Sequence, residues 1–245
     1  MLPLDDPTTL SLLFHLNSEP WLNDAAYENA GRRETLGEPG PGGVALPPAP
    51  ASALTALLAR RRSCRRFAAR ALPLDALAAL AAAAQGVVEI QALGDGQALV
   101  RRAAPSAGGL YPLELYVFAR RVDGLDPGIY RYVPFGHRLE LERPGDPDGD
   151  LAGALYAWPF VEDAGALLAF AARFHRTQGK YGPRGYRYML LEAGHAMQNV
   201  CVRAAELGLA TLCIGGFVDS RVNELLGLEP ARAGVLYMAG AGHPA

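Results

Sequence analysis

Three short stretches of this chain carry residue types that do chemistry. The first is RRRSCRR at residues 60–66, where five of seven residues are arginine and Ser63 adds a hydroxyl. Arginine presents charge-assisted donors in a planar fork, which is what a phosphate monoester requires. A small anionic ligand, a solvated helix end and a nucleic-acid contact are the competing readings. The formal net charge of −2 puts no broad basic surface behind the run, which counts against nucleic acid. The second stretch is KYGPRGYRY, where Lys180-Tyr181 stand before a long helical pattern. Most Lys-Tyr pairs are ordinary surface residues. A lysine among cations and aromatic rings, however, can act as a base. The third is Gly215-Gly216, at the end of a short apolar run. Backbone N–H groups there can approach a ligand with no Cβ in the way.

Other constellations lead elsewhere. Glu192-x-x-His195 resembles half of a di-iron helix pair, but such a site needs a second copy and two more carboxylates. A structural role, or a helix contact, is the expectation for His195. Gly240-x-Gly242 has no helix after it, so a Rossmann nicotinamide fold is not expected. Cys64, Cys201 and Cys213 are scattered and form no Cys-x-x-Cys pair. Neither a zinc site nor a disulfide framework is indicated, and a reducing cytoplasm fits.

The elements that must position these residues follow from periodicity. Leu190, Ala193, Met197, Val200, Cys201 and Ala204 recur at three- and four-residue steps, which predicts a helix with that buried face. Gly208 is its expected C-cap, followed by a buried strand over 209–214. Lys180-Tyr181 are expected in the turn before the helix. Upstream, helices are predicted over 51–61, with Leu54, Leu57 and Leu58 on one side, and from Pro73 to Gly86, with Leu77, Leu80 and Ala84 inward. No element is assigned over 87–100. PSAGGLYP at 105–112 reads as a glycine-bearing turn, and LELYVFA as a strand with Leu113, Leu115 and Val117 on one face. IYRYV and HRLELE read as a hairpin. Asp150 is the expected N-cap of a short helix to Ala157, and Asp219 or Ser220 that of a helix after Gly216. Segments 166–174 and VLYMAG close the set as strands. This is an α+β chain, with a mixed or antiparallel sheet of about five strands flanked by helices.

At 245 residues, half of them hydrophobic, the chain can bury a large core. Residues 1–50 read as an N-terminal extension ending in the Pro/Gly-rich GEPGPGGVALPPAP, and 51–245 as the compact domain. The N-terminus has no signal-peptide pattern, and the alanine-rich run at 72–84 is too short to span a bilayer. No membrane association and no nucleic-acid partner are expected.

Taken in order, RRSCRRF, PSAGGLYPLELYVF, PGIYRY, KYGPRGYRYMLLEAGHAMQN, LGLA and GGF resemble the SagB-type dehydrogenase branch of the FMN-dependent nitroreductase family. The resemblance runs from Arg60 to Gly240. It implies an intertwined homodimer with two FMN sites at the subunit interface. It also implies oxidation of thiazoline or oxazoline rings in modified peptides, with a cyclodehydratase as a partner enzyme. Arg61, Arg62, Ser63 and Arg65 match the motif for the FMN phosphate and the pyrimidine edge of the flavin. Pro105, Ser106 and Ala107 match the loop that reaches the flavin from the partner subunit. Gly215 and Gly216 match the loop near the flavin N5, and Lys180-Tyr181 the pair associated with azoline oxidation. Many nitroreductases end in a Lys/Arg pair on the phosphate. This chain ends in AGHPA, which leaves His243 as the nearest substitute. The same cofactor would also suit an NAD(P)H-dependent nitro or quinone reductase, and a third reading is an inactive scaffold in a peptide-modifying complex.

Overall fold

The computed structural model describes residues 9–18, 42–94 and 96–245. Eight helices and eight strands run as α1 (Thr9–Asn17), α2 (Ala53–Arg60), α3 (Leu74–Gln85), β1 (Val87–Gly94), β2 (Gln97–Arg102), β3 (Leu113–Ala119), β4 (Gly128–Val133), β5 (Arg138–Pro144), α4 (Asp148–Ala154), α5 (Trp158–Val161), β6 (Ala166–Arg173), α6 (Phe174–Tyr181), α7 (Arg184–Glu206), β7 (Ala210–Ile214), α8 (Asp219–Leu225) and β8 (Ala233–Gly242). The main sheet has six strands in the order β5-β4-β3-β6-β8-β7, and every neighbouring pair is antiparallel. It has one strand more than the expected five, and HRLELE pairs with β4 along its whole length, as the hairpin reading expects.

Helices cover both faces of the sheet. On one, Leu77 and Leu80 of α3 and Met189, Ala193 and Val200 of α7 pack over Leu115, Val117, Leu168 and Phe170. On the other, Leu151 of α4, Val161 of α5 and Val222 of α8 pack over Phe118, Leu167, Ala169 and Met238. The alternation expected for β3 is therefore not inside against outside. Leu115 and Val117 enter one core, Tyr116 and Phe118 the other, as in any central strand buried on two faces.

Several local expectations are corrected. Lys180-Tyr181 lie not in a turn but in the last turn of α6, whose internal Gly179 disguised the helix. The buried stripe of α7 runs through Met189, four residues before Ala193, while Leu190 is 40% exposed on its flank. Asp150 sits inside the first turn of α4, and the N-cap is Pro147. Val218, not Asp219 or Ser220, occupies the N-cap position of α8. Segment 87–102 is an antiparallel hairpin, β1–β2, with turn glycines at Gly94 and Gly96. Within residues 1–36, α1 docks on the α6–α7 corner. Its His15 Nδ1 lies 2.9 Å from the Tyr186 hydroxyl, and Gln178 Nε2 donates to Ser11 Oγ at 2.7 Å. Of the Pro/Gly-rich stretch, residues 42–50 are described; they are exposed and form no regular element. Gly208, at φ +69°, ends α7 as expected.

A buried arginine ties the second core together. Arg120 ion-pairs with Asp148, donates to the carbonyls of Val161 and Ala164 at 2.9 Å each, and lies 4.7 Å over the Trp158 ring. Removing it leaves those carbonyls and a partly buried carboxylate without a partner. Arg120→Leu should therefore lose about 3 kcal/mol or more of stability, read as a lower urea midpoint at unchanged slope. A loss under about 1 kcal/mol would show that the network contributes little.

Candidate functional site

The arginine cluster lies where α2 ends against the far end of α7. Arg60 Nη2 donates to the Ala205 carbonyl at 2.8 Å, which satisfies one of the orphan acceptors of α7. Beyond Arg60 the backbone joins the sheet edge. Cys64 N donates to Thr211 O at 2.9 Å, and Ser63 makes a parallel bridge to Thr211. Arg61 and Arg62 line a cavity of about 310 Å³ with Cys201, Leu209 and Thr211. Arg65 is exposed and does not line it. With the described residues, the side chains of Arg61, Arg62 and Arg65 make no ion pair, whereas Arg120, Arg131 and Arg173 each have a carboxylate. His243 Nε2 is buried without a protein partner, one residue from Pro244 on the cavity wall. Gly215-Gly216 follow the same strand, roughly 13 Å along from Thr211 at about 3.3 Å per residue. An elongated anion fits this edge: a phosphate at the arginines, and a flat end at the glycines.

Lys180 and Tyr181 meet a different loop. Pro105, Ser106 and Ala107 lead into a single turn at Ala107–Gly109, and Gly108 has φ +64°. A Cβ there would stand 2.7 Å from Tyr181 Oη and 3.0 Å from Lys180 Nζ, so only glycine lets the two segments meet. Lys180 Nζ lies 5.3 Å from the Tyr181 ring centroid, and Tyr188 packs edge-on against Tyr181 at 5.0 Å. The loop is pinned by Ser106 Oγ, which accepts from Tyr111 N at 2.9 Å. Tyr111 itself is held at φ +45°, and its hydroxyl accepts from Arg102 N at 2.9 Å.

The nine predicted cofactor residues and two predicted catalytic residues thus form two groups. Arg61, Arg62, Ser63, Gly215 and Gly216 share one sheet edge, with Arg65 nearby. Pro105, Ser106, Ala107, Lys180 and Tyr181 share the other group. Helix α7 contacts both: Lys180 precedes its first residue by four positions, Ser106 faces Glu192 along its length, and Arg60 binds its last turn. At 1.5 Å per residue its 23 residues span about 34 Å.

Sequence reasoning passed over a buried polar knot under the 105–109 loop. Arg102 Nη1 donates to Gln85 Oε1 at 3.0 Å, and Glu192 of α7 faces both Arg102 and Ser106. Glu192 Oε1, Arg102 Nε and Gln85 Nε2 have no protein partner. Glu192 is 3% exposed, and burial pushes its carboxyl up to about 7, against the pull of Ser106 and Arg102. The available signal was an acidic residue three positions after Met189, on the apolar stripe. His195, one turn further on, is exposed while Glu192 is buried. Among the described residues no group of His, Cys, Asp or Glu could hold a metal.

Glu192 makes stability depend on pH. The folded state holds its proton more tightly than the unfolded state, so between pH 4.5 and 7 folding takes up a proton. Stability is then greatest at low pH and falls as pH rises through that window. Glu192→Gln lacks this dependence. Between pH 5 and pH 8 the wild type should lose up to about 3 kcal/mol relative to the variant, measured by urea unfolding at both pH values. Parallel behaviour of the two proteins would refute the assignment.

A protein of Methanocaldococcus jannaschii that carries a nitroreductase name is 35% identical over 186 residues, covering 76% of this chain and 90% of that protein. The microcin B17-processing protein McbC of Escherichia coli is 29% identical over 140 residues, 53% of this chain, and the chain spans only 50% of its length. Among solved structures, a chain of the E. coli microcin synthetase McbBCD complex with truncated pro-MccB17 superposes with a TM-score of 0.69 at 20% identity, covering 98% of this chain and 93% of that one. A Desulfovibrio desulfuricans structure in complex with FMN gives a TM-score of 0.55 at 20% identity, covering 80% and 88%. At such identities the last two likenesses are of fold alone. Residues 58–243 match the model of the nitroreductase family, and with a match over most of its length this chain belongs to that family.

Proposed function

We propose that this chain is an FMN-dependent dehydrogenase of the SagB type. It oxidises a thiazoline or oxazoline ring, or a related peptide-derived group, to the aromatic azole. The observation that carries the reading is the contact of Lys180 and Tyr181 with Gly108. Residues some 70 positions apart are brought together beside the loop that the resemblance assigns to the flavin of the partner subunit. The relationship to a microcin-processing protein supports the same chemistry.

The residues present fit FMN. Arg61 and Arg62, unpaired at the wall of a cavity, supply the donors a phosphate requires, with Ser63 and Arg65 beside them and the orphaned His243 Nε2 close by. Gly215 and Gly216 leave backbone exposed along the same edge. FMN, when bound, supplies the hydride acceptor. The chain supplies the rest. Lys180 Nζ takes the proton from the ring carbon next to the one that gives up the hydride. Tyr181, wedged between Gly108 and Tyr188, holds its hydroxyl toward the same place and orients the ring. Ser106 and the knot beneath it hold the loop in place.

Two copies of the chain are needed. The resemblance assigns the 105–107 loop to the flavin of the partner subunit, so each site would take the arginine edge of one protomer and this loop, with Lys180 and Tyr181 against it, from the other. Leu190 (40% exposed), Leu191 (54%) and exposed Gly194 give α7 an apolar outer face suited to a partner helix. The relation to McbC makes a cyclodehydratase, which would form the azoline, a reasonable partner. No described helix is long and apolar enough to cross a membrane, and the three cysteines are free, which fits a cytoplasmic location.

Purified protein should be a yellow dimer that releases FMN on denaturation. Arg61→Ala should weaken FMN by about 1.5–3 kcal/mol, read by flavin fluorescence titration. Lys180→Ala should keep flavin and dimer yet lose about 10²–10⁴-fold in oxidation of an azoline peptide, and Tyr181→Phe should lose less. Near wild-type turnover by Lys180→Ala would sink the assignment, as would loss of flavin from it. Rapid reduction of the flavin by NAD(P)H, with no azoline turnover, would favour a nitro or quinone reductase instead.

A further inference from the structure

The three cysteines are scattered in sequence, but two of them meet in the fold. Cys201 lies on the buried face of α7 and Cys213 on β7, with sulfurs 3.5 Å apart. Cys201 is 4% exposed, while Cys213 is half-buried. Cys201 lines the arginine cavity, and the Arg61 guanidinium acts on both sulfurs. The two thiols are not equivalent. The two sulfurs share a hydrogen bond that either can donate; this contact and the Tyr237 hydroxyl hold Cys213 down to about 6 despite its burial. The same hydrogen bond, together with burial, pushes Cys201 well above the ordinary thiol range. One sulfur is thus set up as a thiolate and its neighbour as a proton-bearing thiol.

We propose that Cys201 and Cys213 are a redox-active dithiol that closes to an intrachain disulfide when it meets a hydroperoxide. The Cys213 thiolate attacks the peroxide, the O–O bond breaks, an alcohol (water, for hydrogen peroxide) leaves, and Cys213 becomes a sulfenic acid. Cys201 sulfur then displaces the hydroxyl from Cys213. The S–O bond breaks, the S–S bond forms, and the Cys201 proton leaves with the hydroxyl as water. Overall the dithiol gives up two protons and two electrons, and the peroxide is reduced. The sulfurs have to close from 3.5 Å to about 2.05 Å, within reach of a side-chain adjustment. The bond would tie α7 to β7 behind Arg61 and two residues before Gly215, at the wall of the arginine cavity. The inference rests on the cysteine pair and not on the identity of the cofactor or substrate.

The third cysteine is an internal control. Cys64 Sγ donates to the Arg66 carbonyl at 2.9 Å, on the strand that pairs with Thr211. Full-length protein as purified is treated with a small excess of hydrogen peroxide, quenched, denatured and alkylated. Intact mass and peptide mapping should show a loss of two hydrogens and a fall from three alkylatable thiols to one. The link should join 201 to 213 within one chain, and dithiothreitol should restore all three thiols. Cys201→Ser should stop at a Cys213 sulfenic acid that dimedone captures, and Cys213→Ser should give no 201-containing link. The mapping on wild type stands even where a variant fails to fold. Oxidation of Cys64 first, a link through Cys64 or between chains, or a pair that stays reduced would each overturn the proposal.

Discussion

The packing of α7 against the sheet sets the geometry of everything else. Its buried stripe passes through Ala193, Ala196 and Ala204 as well as Met189, Met197 and Val200. Small side chains let the helix lie close to α3 and to the sheet face formed by Leu115, Val117 and Phe170. Both ends of the helix carry contacts to distant parts of the chain. Arg60 binds the carbonyl of Ala205 at one end. At the other, α6 turns into α7 and holds Lys180 and Tyr181 against the 105–109 loop.

Charge is sorted in the same way. Arg120 is buried and has a full set of partners: Asp148, two carbonyls and the face of Trp158. Arg173 and Arg176 share Glu114, and Arg131 takes Glu140 and Glu142. These arginines hold structure. Arg61, Arg62 and Arg65 have no acidic neighbour among the described residues, although an acidic chain offers many. Leaving cations together and unpaired costs stability through mutual repulsion. The phosphate of the proposed FMN would supply the missing counter-charge.

Much of this was legible in the sequence, for identifiable reasons. The α7 pattern, the Gly208 cap and the strands at 113–119, 128–133 and 210–214 follow strong local rules: helical spacing, a left-handed glycine and short apolar runs. What was not legible depends on partners far away in the chain. LELYVFA reads as half-exposed until the second helical layer is known to cover Tyr116 and Phe118. Lys180-Tyr181 read as a turn because Gly179 and Gly182 surround them, yet α6 forms by packing Phe174 and Thr177 inward. Glu192 and the Cys201–Cys213 pair were missed because their meaning lies in Arg102, Ser106 and β7, which only the tertiary fold brings to them.

Two glycines show how chain-internal and external constraints can be told apart. Gly108 is required by its own chain: its φ is left-handed, and a side chain would collide with Tyr181. Gly215 is different. Its φ is not in the left-handed range, and a Cβ there would meet no atom of the described residues within 4 Å. Among the described residues, neither backbone strain nor packing explains a glycine at that position, which follows β7 at the edge of the sheet. Arg61 and Arg62 lie along the same edge, about one short strand away. The open backbone and the arginines without a carboxylate are independent observations, one steric and one electrostatic, and both agree with the proposal that FMN lies against β7.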